Sequence, residues 1–366
     1  MRPTDLQSKV IAFLRFPLIV LVLTIHCDIT ALGGEWASIP FASKFIEVVS
    51  QRVATIAIPF FFFISGYLFF KTGKFTTDIY LGKLARRVQS LLVPYFLWNL
   101  LLLLLAIIVG LFTNRVPIIG VPIDQMTFLD GVKSFWDISL VKGGTSTIAA
   151  PIDVPLWFMR DLMVVMICSP IVFLAVKAFI ILSGKRPIVR YLLFLAIIFG
   201  FGYIPEVAGL NPECWLFFGF GAYYGIRKKE FIVAMLPYVI PAFILLVVLI
   251  VIEHWAPCQF LYHLEAVFAI IFGMSLTTNM VRSGTWYVQD MSLSNASFFV
   301  YAFHFFISGS LMALLGTGFF TPHSWWLLLI IYLLAIAITL TLTLLVYWLM
   351  RTKLPFTTYL FMGGRR

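Results

Sequence analysis

About ten stretches of this chain are long and apolar enough to partition into a lipid bilayer, and that restricts the fold before any motif is read. They lie near residues 10–29, 51–70, 88–112, 155–175, 188–204, 212–226, 235–252, 262–280, 296–316 and 325–349. Inside hydrocarbon no water bonds the backbone, so only helices and closed barrels can cross it, and continuous apolar runs of about 20 residues are helical. The expected fold is an all-α integral membrane protein, a bundle of about ten transmembrane helices. Composition excludes an ordinary soluble domain: 61% of the residues are hydrophobic, 11% are charged, and the mean hydropathy is +1.01. The weakest run reads "CWLFFGFGAYYGI", where glycine is expected to permit close helix packing rather than to mark a loop.

The first run carries Arg15 and ends in "HCDIT" instead of a small-residue cleavage site, so it is expected to remain as the first spanning helix. The net charge of +10 is distributed by topology. With the N-terminus in the cytoplasm, nineteen of the 26 Lys and Arg, from Arg2 to Arg365 and Arg366, fall on inner segments. That asymmetry supports both termini being cytoplasmic in a multi-pass protein of the cell (inner or plasma) membrane. The densest inner loop, Lys71 to Arg87, sets five basic residues against Asp78. It anchors to anionic lipid or holds an anionic ligand. The one long outer loop, about 113–154, is irregular enough to be a lid or an acceptor-binding element. The whole of 1–366 is read as a single transmembrane domain, with no soluble domain appended after Trp348. Cys27, Cys168, Cys214 and Cys258 lie singly, which argues for buried thiols and against a metal site or a disulfide framework. The basic residues form no stripe interleaved with stacking aromatics, so nucleic acid is not an expected partner.

Polar side chains within the apolar runs carry the functional signal. An arginine at a helix centre costs roughly 2.5–3.5 kcal/mol on insertion scales, so such residues mark sites unless they snorkel. Arg15 and His26 are eleven residues apart; on a helix that puts both on one face, about 16 Å apart in depth. Snorkelling for Arg15 and a packing hydrogen bond for His26 are the competing readings, and the shared face with Asp28 nearby favours a site. "PLWFMRDL" places Trp157, Arg160 and Asp161 at the outer level of His26, whether as acceptor contacts or as interfacial residues. At the inner level, Ser65 and Gly66 allow close backbone approach, and Lys83, Arg86 and Arg87 precede Pro94, which is placed to kink the third helix. His304, three residues after Tyr301, and Glu265 are further candidates for acid–base or substrate-binding roles.

Taken in order, these segments resemble the membrane-bound acyltransferase-3 family. The resemblance rests on Arg15 followed by ten residues and His26, then on "FFFISGYLF", "RRVQSLLVPYFLW", "PLWFMRDL" and "LFFGFGAYYGIRKK", and it spans most of the chain. It implies about ten core helices and transfer of an acyl group, commonly acetyl, from cytoplasmic acyl-CoA to a hydroxyl of a cell-surface sugar or its lipid-linked precursor. It further implies His26 as the catalytic residue, with Arg15 and the Arg86/Arg87 pair on the donor side.

The expected activity is therefore acyl-CoA-dependent O-acyltransfer, with acetyl-CoA as the simplest donor and no metal. His26, oriented by Asp28, would act as general base or carry the acyl group, and Arg160 or Arg15 would stabilise the oxyanion. Ser65, Lys83, Arg86 and Arg87 would receive CoA phosphates or the pantetheine arm; Trp157, Asp161, Glu265 and His304 would contact the acceptor. Partners are then acyl-CoA, a glycan or lipid-linked sugar and membrane lipid, with a homo-oligomer left open. The competing class is a transporter or flippase for a sugar or lipid-linked intermediate, whose polar stripe would line a pathway without chemistry.

Overall fold

The computed structural model describes residues 3–284, 292–318 and 321–365; Arg2 and Arg366 lie outside them. Among the described residues the secondary structure is helical, apart from one isolated bridge between Arg115 and Pro122. The helices in order are α1 (Pro3–His26), α2 (Pro40–Val48), α3 (Ala57–Phe70), α4 (Thr77–Arg87), α5 (Val93–Thr113), α6 (Phe128–Ser134), α7 (Trp157–Ile167) and α8 (Ser169–Ser183). They continue with α9 (Pro187–Phe201), α10 (Pro212–Ile226), α11 (Phe231–Met235), α12 (Val239–Trp255), α13 (Gln259–Ser283), α14 (Ser292–Leu315), α15 (Trp325–Lys353) and α16 (Pro355–Phe361).

All ten apolar runs are helical, but they differ in length. Among the described residues, seven segments are long and apolar enough to cross a membrane: Asp5–Leu32, Pro40–Phe70, Thr77–Thr113, Phe231–Trp255, Gln259–Ser283, Leu293–Leu315 and Trp325–Lys353. The run from 155 to 175 breaks into α7 and α8, bent by 69°, and counts as an eighth if the pair is one span. Pro170 stands at the start of α8, where its missing N–H cannot continue the ladder of α7. The runs at 188–204 and 212–226 form α9 and α10, each of 15 residues. Such helices rise about 22 Å, short of the ~30 Å hydrocarbon core.

α1 is the hub. It packs against α13, α14, α3 and α15, so the helix with Arg15 and His26 is surrounded by protein along much of its length. On the face between those two residues, Leu18, Ile19 and Val22 are all buried, so the interval is filled by side chains.

The tightest helix contact joins α3 to α10. A Cβ added at Gly66 would stand 2.0 Å from the Phe218 carbonyl oxygen, and one at Gly221 would stand 1.9 Å from that of Phe63. A Cβ added at Gly225, one turn on, would meet the backbone of Phe70 at 2.9 Å. Glycine at these positions lets two backbones touch, the usual route to tight packing where lipid gives helices no hydrophobic drive to associate.

Two single turns of π-helix interrupt otherwise regular spans, at Val49–Val53 and Val88–Leu92. Each inserts a wider turn that re-aims the side chains after it. The long loop is a folded cap. It contains α6, closed by a capping box between Thr127 and Asp130, and it buries Val116, Ile119, Val121, Ile138 and Ile152 against Leu102, Leu103 and Ala106 of α5.

Gly66→Val and Gly221→Val should each destabilise the fold by about 1–3 kcal/mol, the range for overpacking a fitted contact. Gly219→Ala, where nothing lies within 4 Å of an added Cβ, should be neutral. The thermal midpoints of the purified variants in detergent check this.

Candidate active site

His26 is the last residue of α1, half-buried, with its ring 5.1 Å from that of His304 and 5.5 Å from that of Phe305. His304 on α14 is fully buried. Its Nδ1 lies 2.7 Å from the Tyr301 carbonyl and 3.0 Å from that of Val300. A carbonyl only accepts, so Nδ1 carries the hydrogen and Nε2 is left as a lone-pair acceptor, with no partner among the described residues. The Tyr301 hydroxyl, one turn away, donates to the Pro155 carbonyl at 2.7 Å and fixes α14 to the start of α7. Two histidines from helices far apart in the chain thus meet at one level of the bundle.

Several expected contacts are made elsewhere. Asp28 does not orient His26: its Oδ1 accepts from the Thr30 backbone and hydroxyl, and its Oδ2 accepts from Gln51 Nε2 at 2.9 Å. The reason is local, since Asp28 caps the short turn Ile29–Leu32 that follows α1. Arg160 does not face a reacting carbonyl either. It donates to Asp161, to the Trp136 carbonyl at 2.6 Å and to the Ala149 carbonyl, and it lies over the Trp136 ring. Asp161 accepts in turn from the backbone N–H groups of Gly209 and Asn211. This buried pair staples the cap and the α9–α10 connection to α7, a structural role in place of the oxyanion and acceptor contacts expected. Arg15, about three helical turns from His26, is too far along α1 to serve the oxyanion.

Near Arg15, at the middle of α1, basic groups converge. Arg365 donates to the Ser90 carbonyl at 3.0 Å and to Met362, and stacks on Phe298 with its guanidinium carbon 4.0 Å from the ring centroid. The local sequence explains the contact. Pro94 has no N–H to offer the Ser90 carbonyl in a helical ladder, and Gly363 and Gly364, at φ +64° and +80°, turn the chain back onto the π-helical turn. A Cβ at Gly363 would meet the Ser90 carbonyl oxygen at 2.7 Å. Burial, with the like charges of Arg87 and Arg15 adding to it, pulls the Arg365 guanidinium down to about 10. Three arginines therefore share one region, beside a Ser90 hydroxyl with no partner among the described residues. Arg87 is half-buried, whereas Arg86 is exposed and bonds its own helix at Gly82. Lys83 is held by the Phe69 carbonyl at the end of α3, and Ser65 is half-buried on α3.

A cavity of about 500 Å³ opens between the first π-helical turn, α7, α10, α12 and α13, and Trp157 lines it. Glu265 is fully buried and lies one turn from Tyr262, which does line the cavity; both Glu265 oxygens lack a partner among the described residues.

Over this framework, the family model described as an acyltransferase domain, acyltransferase-3, matches residues 10–348. The chain belongs to the acyltransferase-3 family. No curated protein and no solved structure matches the chain. Membership makes the protein a membrane acyltransferase, and the match begins before Arg15 and runs through His26, His304 and the cavity.

Within the cap, Asp153 is fully buried, and its carboxylate oxygens have no partner among the described residues. Burial holds its carboxyl well above the usual aspartate range. The folded form keeps a proton that the unfolded chain releases, so this residue costs stability as the pH rises above about 4. Asp153→Asn should therefore raise the thermal midpoint at neutral pH by a few degrees, with the gain shrinking as the pH falls toward 4. Thermal unfolding across a pH series measures it.

Proposed function

We propose that this acyltransferase moves an acyl group, acetyl in the simplest case, from acyl-CoA to a hydroxyl of a cell-surface sugar or lipid-linked glycan precursor, with His26 as general base. The observation that carries the reading is the His26–His304 pair within a chain that the family covers from residue 10 to 348. His26 accepts the proton of the acceptor hydroxyl; the oxygen attacks the thioester carbonyl; the new C–O bond replaces the C–S bond; and the CoA thiolate leaves and takes up the proton. His304 supports the step because its bare Nε2 offers an acceptor to the imidazolium that His26 becomes.

Arg15, Arg87 and Arg365 would hold the CoA phosphates, since an anion beside them offsets the burial and the like-charge repulsion that together lower Arg365. Arg86 would add charge at the surface, and Ser65 would lie beside the pantetheine arm. Lys83, engaged with the Phe69 carbonyl, is the weakest member of this donor set. Because Leu18, Ile19 and Val22 fill the face between Arg15 and His26, the thin arm would part side chains along α1 to bring the thioester up.

His26→Ala should lower acceptor-dependent release of CoA by about 10²–10⁴-fold, the range for removing a general base, and His304→Gln by about tenfold or more. Both are measured on protein that elutes as the wild type does from size exclusion. Normal turnover by His26→Ala would contradict the mechanism. Sugar movement across vesicles without consumption of acyl-CoA would support transport instead.

A further inference from the structure

We infer that the cavity between the first π-helical turn and α7, α10, α12 and α13 binds a neutral, hydroxyl-rich sugar ring, and that this ring belongs to the acceptor; the second clause rests on the acyl-transfer reading above. Its lining carries the two kinds of surface that a pyranose needs. Trp157 supplies a half-buried aromatic face for the C–H side of a ring, and a set of polar groups supplies partners for hydroxyls, each of which both donates and accepts. Glu253 is 2% exposed; one oxygen is bonded by Arg52, and the other, buried, has no partner among the described residues. A buried carboxylate oxygen left without a donor is costly, and a sugar hydroxyl is the donor this wall lacks. Glu213 is held ready by the Tyr262 hydroxyl, which donates to its Oε1 at 2.9 Å. The volume, about 500 Å³, suits a small-molecule site, and a smaller pocket of about 180 Å³ adjoins it through Asn211, Glu213 and Gln259.

Charge decides which sugar. Glu206, Glu213 and Glu253 line it, and Arg52, the one cation in that lining, is already paired with Glu253, so no free cation is there to hold a phosphate or carboxylate on the ligand. CoA is excluded from this cavity on the same ground. The cavity also reaches the reacting end of α1, because Gln51 lines it and donates to Asp28, two residues from His26.

Cys258 gives a reporter that does not depend on catalysis. It is exposed and lines the cavity, whereas Cys27 and Cys214 are buried; Cys168, half-exposed, is removed as Cys168→Ser. In the purified full chain in nanodiscs, labelling of Cys258 by a membrane-impermeant maleimide should be slowed by methyl glucoside, methyl galactoside or methyl N-acetylglucosaminide, and not by hexose phosphate or CoA. Trp157→Ala and Glu253→Gln should each weaken that protection by about tenfold, while labelling without sugar stays at the wild-type rate and reports an intact site. No protection by any of the neutral glycosides, equal protection by hexose phosphate, or full protection retained in both variants would overturn the assignment. Protection by sugar in a protein that releases no CoA from acyl-CoA would leave the cavity a sugar site and remove the acyl-transfer reading. CoA release without protection would do the reverse.

Discussion

In hydrocarbon a polar side chain has only other protein groups to bond, and the placement of charge in this molecule follows from that constraint. Arg160 and Asp161, buried near the start of α7, satisfy each other and four backbone groups of two loops. Arg52 on the first π-helical turn meets Glu253 on α12, and Ser50 on the same turn meets the Tyr332 hydroxyl of α15 at 2.8 Å. These satisfied groups form the rigid frame. Against it, the buried groups with no partner among the described residues include the Nε2 of His304, one oxygen of Glu253 and the hydroxyl of Ser90, besides the carboxylates of Asp153 and Glu265. The first three lie at the His26–His304 pair, the cavity lined by Trp157 and the arginine cluster in turn.

The frame holds two chemically different regions at different levels of α1. One region, about three helical turns along α1 from His26, gathers Arg15, Arg87 and Arg365 and suits a polyanion; the other sets carboxylates and an indole around a cavity and suits a neutral polyol. A transferase joining a nucleotide-bearing donor to a sugar needs such a separation, because each site rejects the other's ligand. His26 lies toward the cavity end, where α1 stops and Asp28 begins the turn that touches Gln51.

Much of this was legible in the sequence. Apolar runs predicted helices, and all ten are helical, because the requirement for a satisfied backbone is local to each run. Glycine at Gly66 and in "GFGAYYG" predicted close packing, and the α3–α10 contact uses it. Spacing along one helix placed Arg15 and His26 on a common face of α1. What the sequence hid were contacts between distant residues. Nothing near Arg160 reveals that Trp136 and Ala149 will take its donors, nor does anything near Asp28 reveal Gln51, so both were read as site residues. Arg52 and Glu253, 201 residues apart, and Arg365 and Ser90, 275 apart, become partners only through tertiary packing. The π-helical turns carry no periodic signature, yet the first of them sets Gln51 and Arg52 in the cavity lining.

The most direct measurement of the two-region arrangement is vectorial transfer in sealed proteoliposomes holding the protein in one orientation, read from Cys258 accessibility. Labelled acyl-CoA is supplied on one face and a neutral sugar acceptor on the other. Ester should form only when acyl-CoA is on the face of Arg87 and Arg365 and the acceptor is on the face of Cys258. Equal ester formation with acyl-CoA supplied only on the Cys258 face would contradict a donor path along α1 to His26.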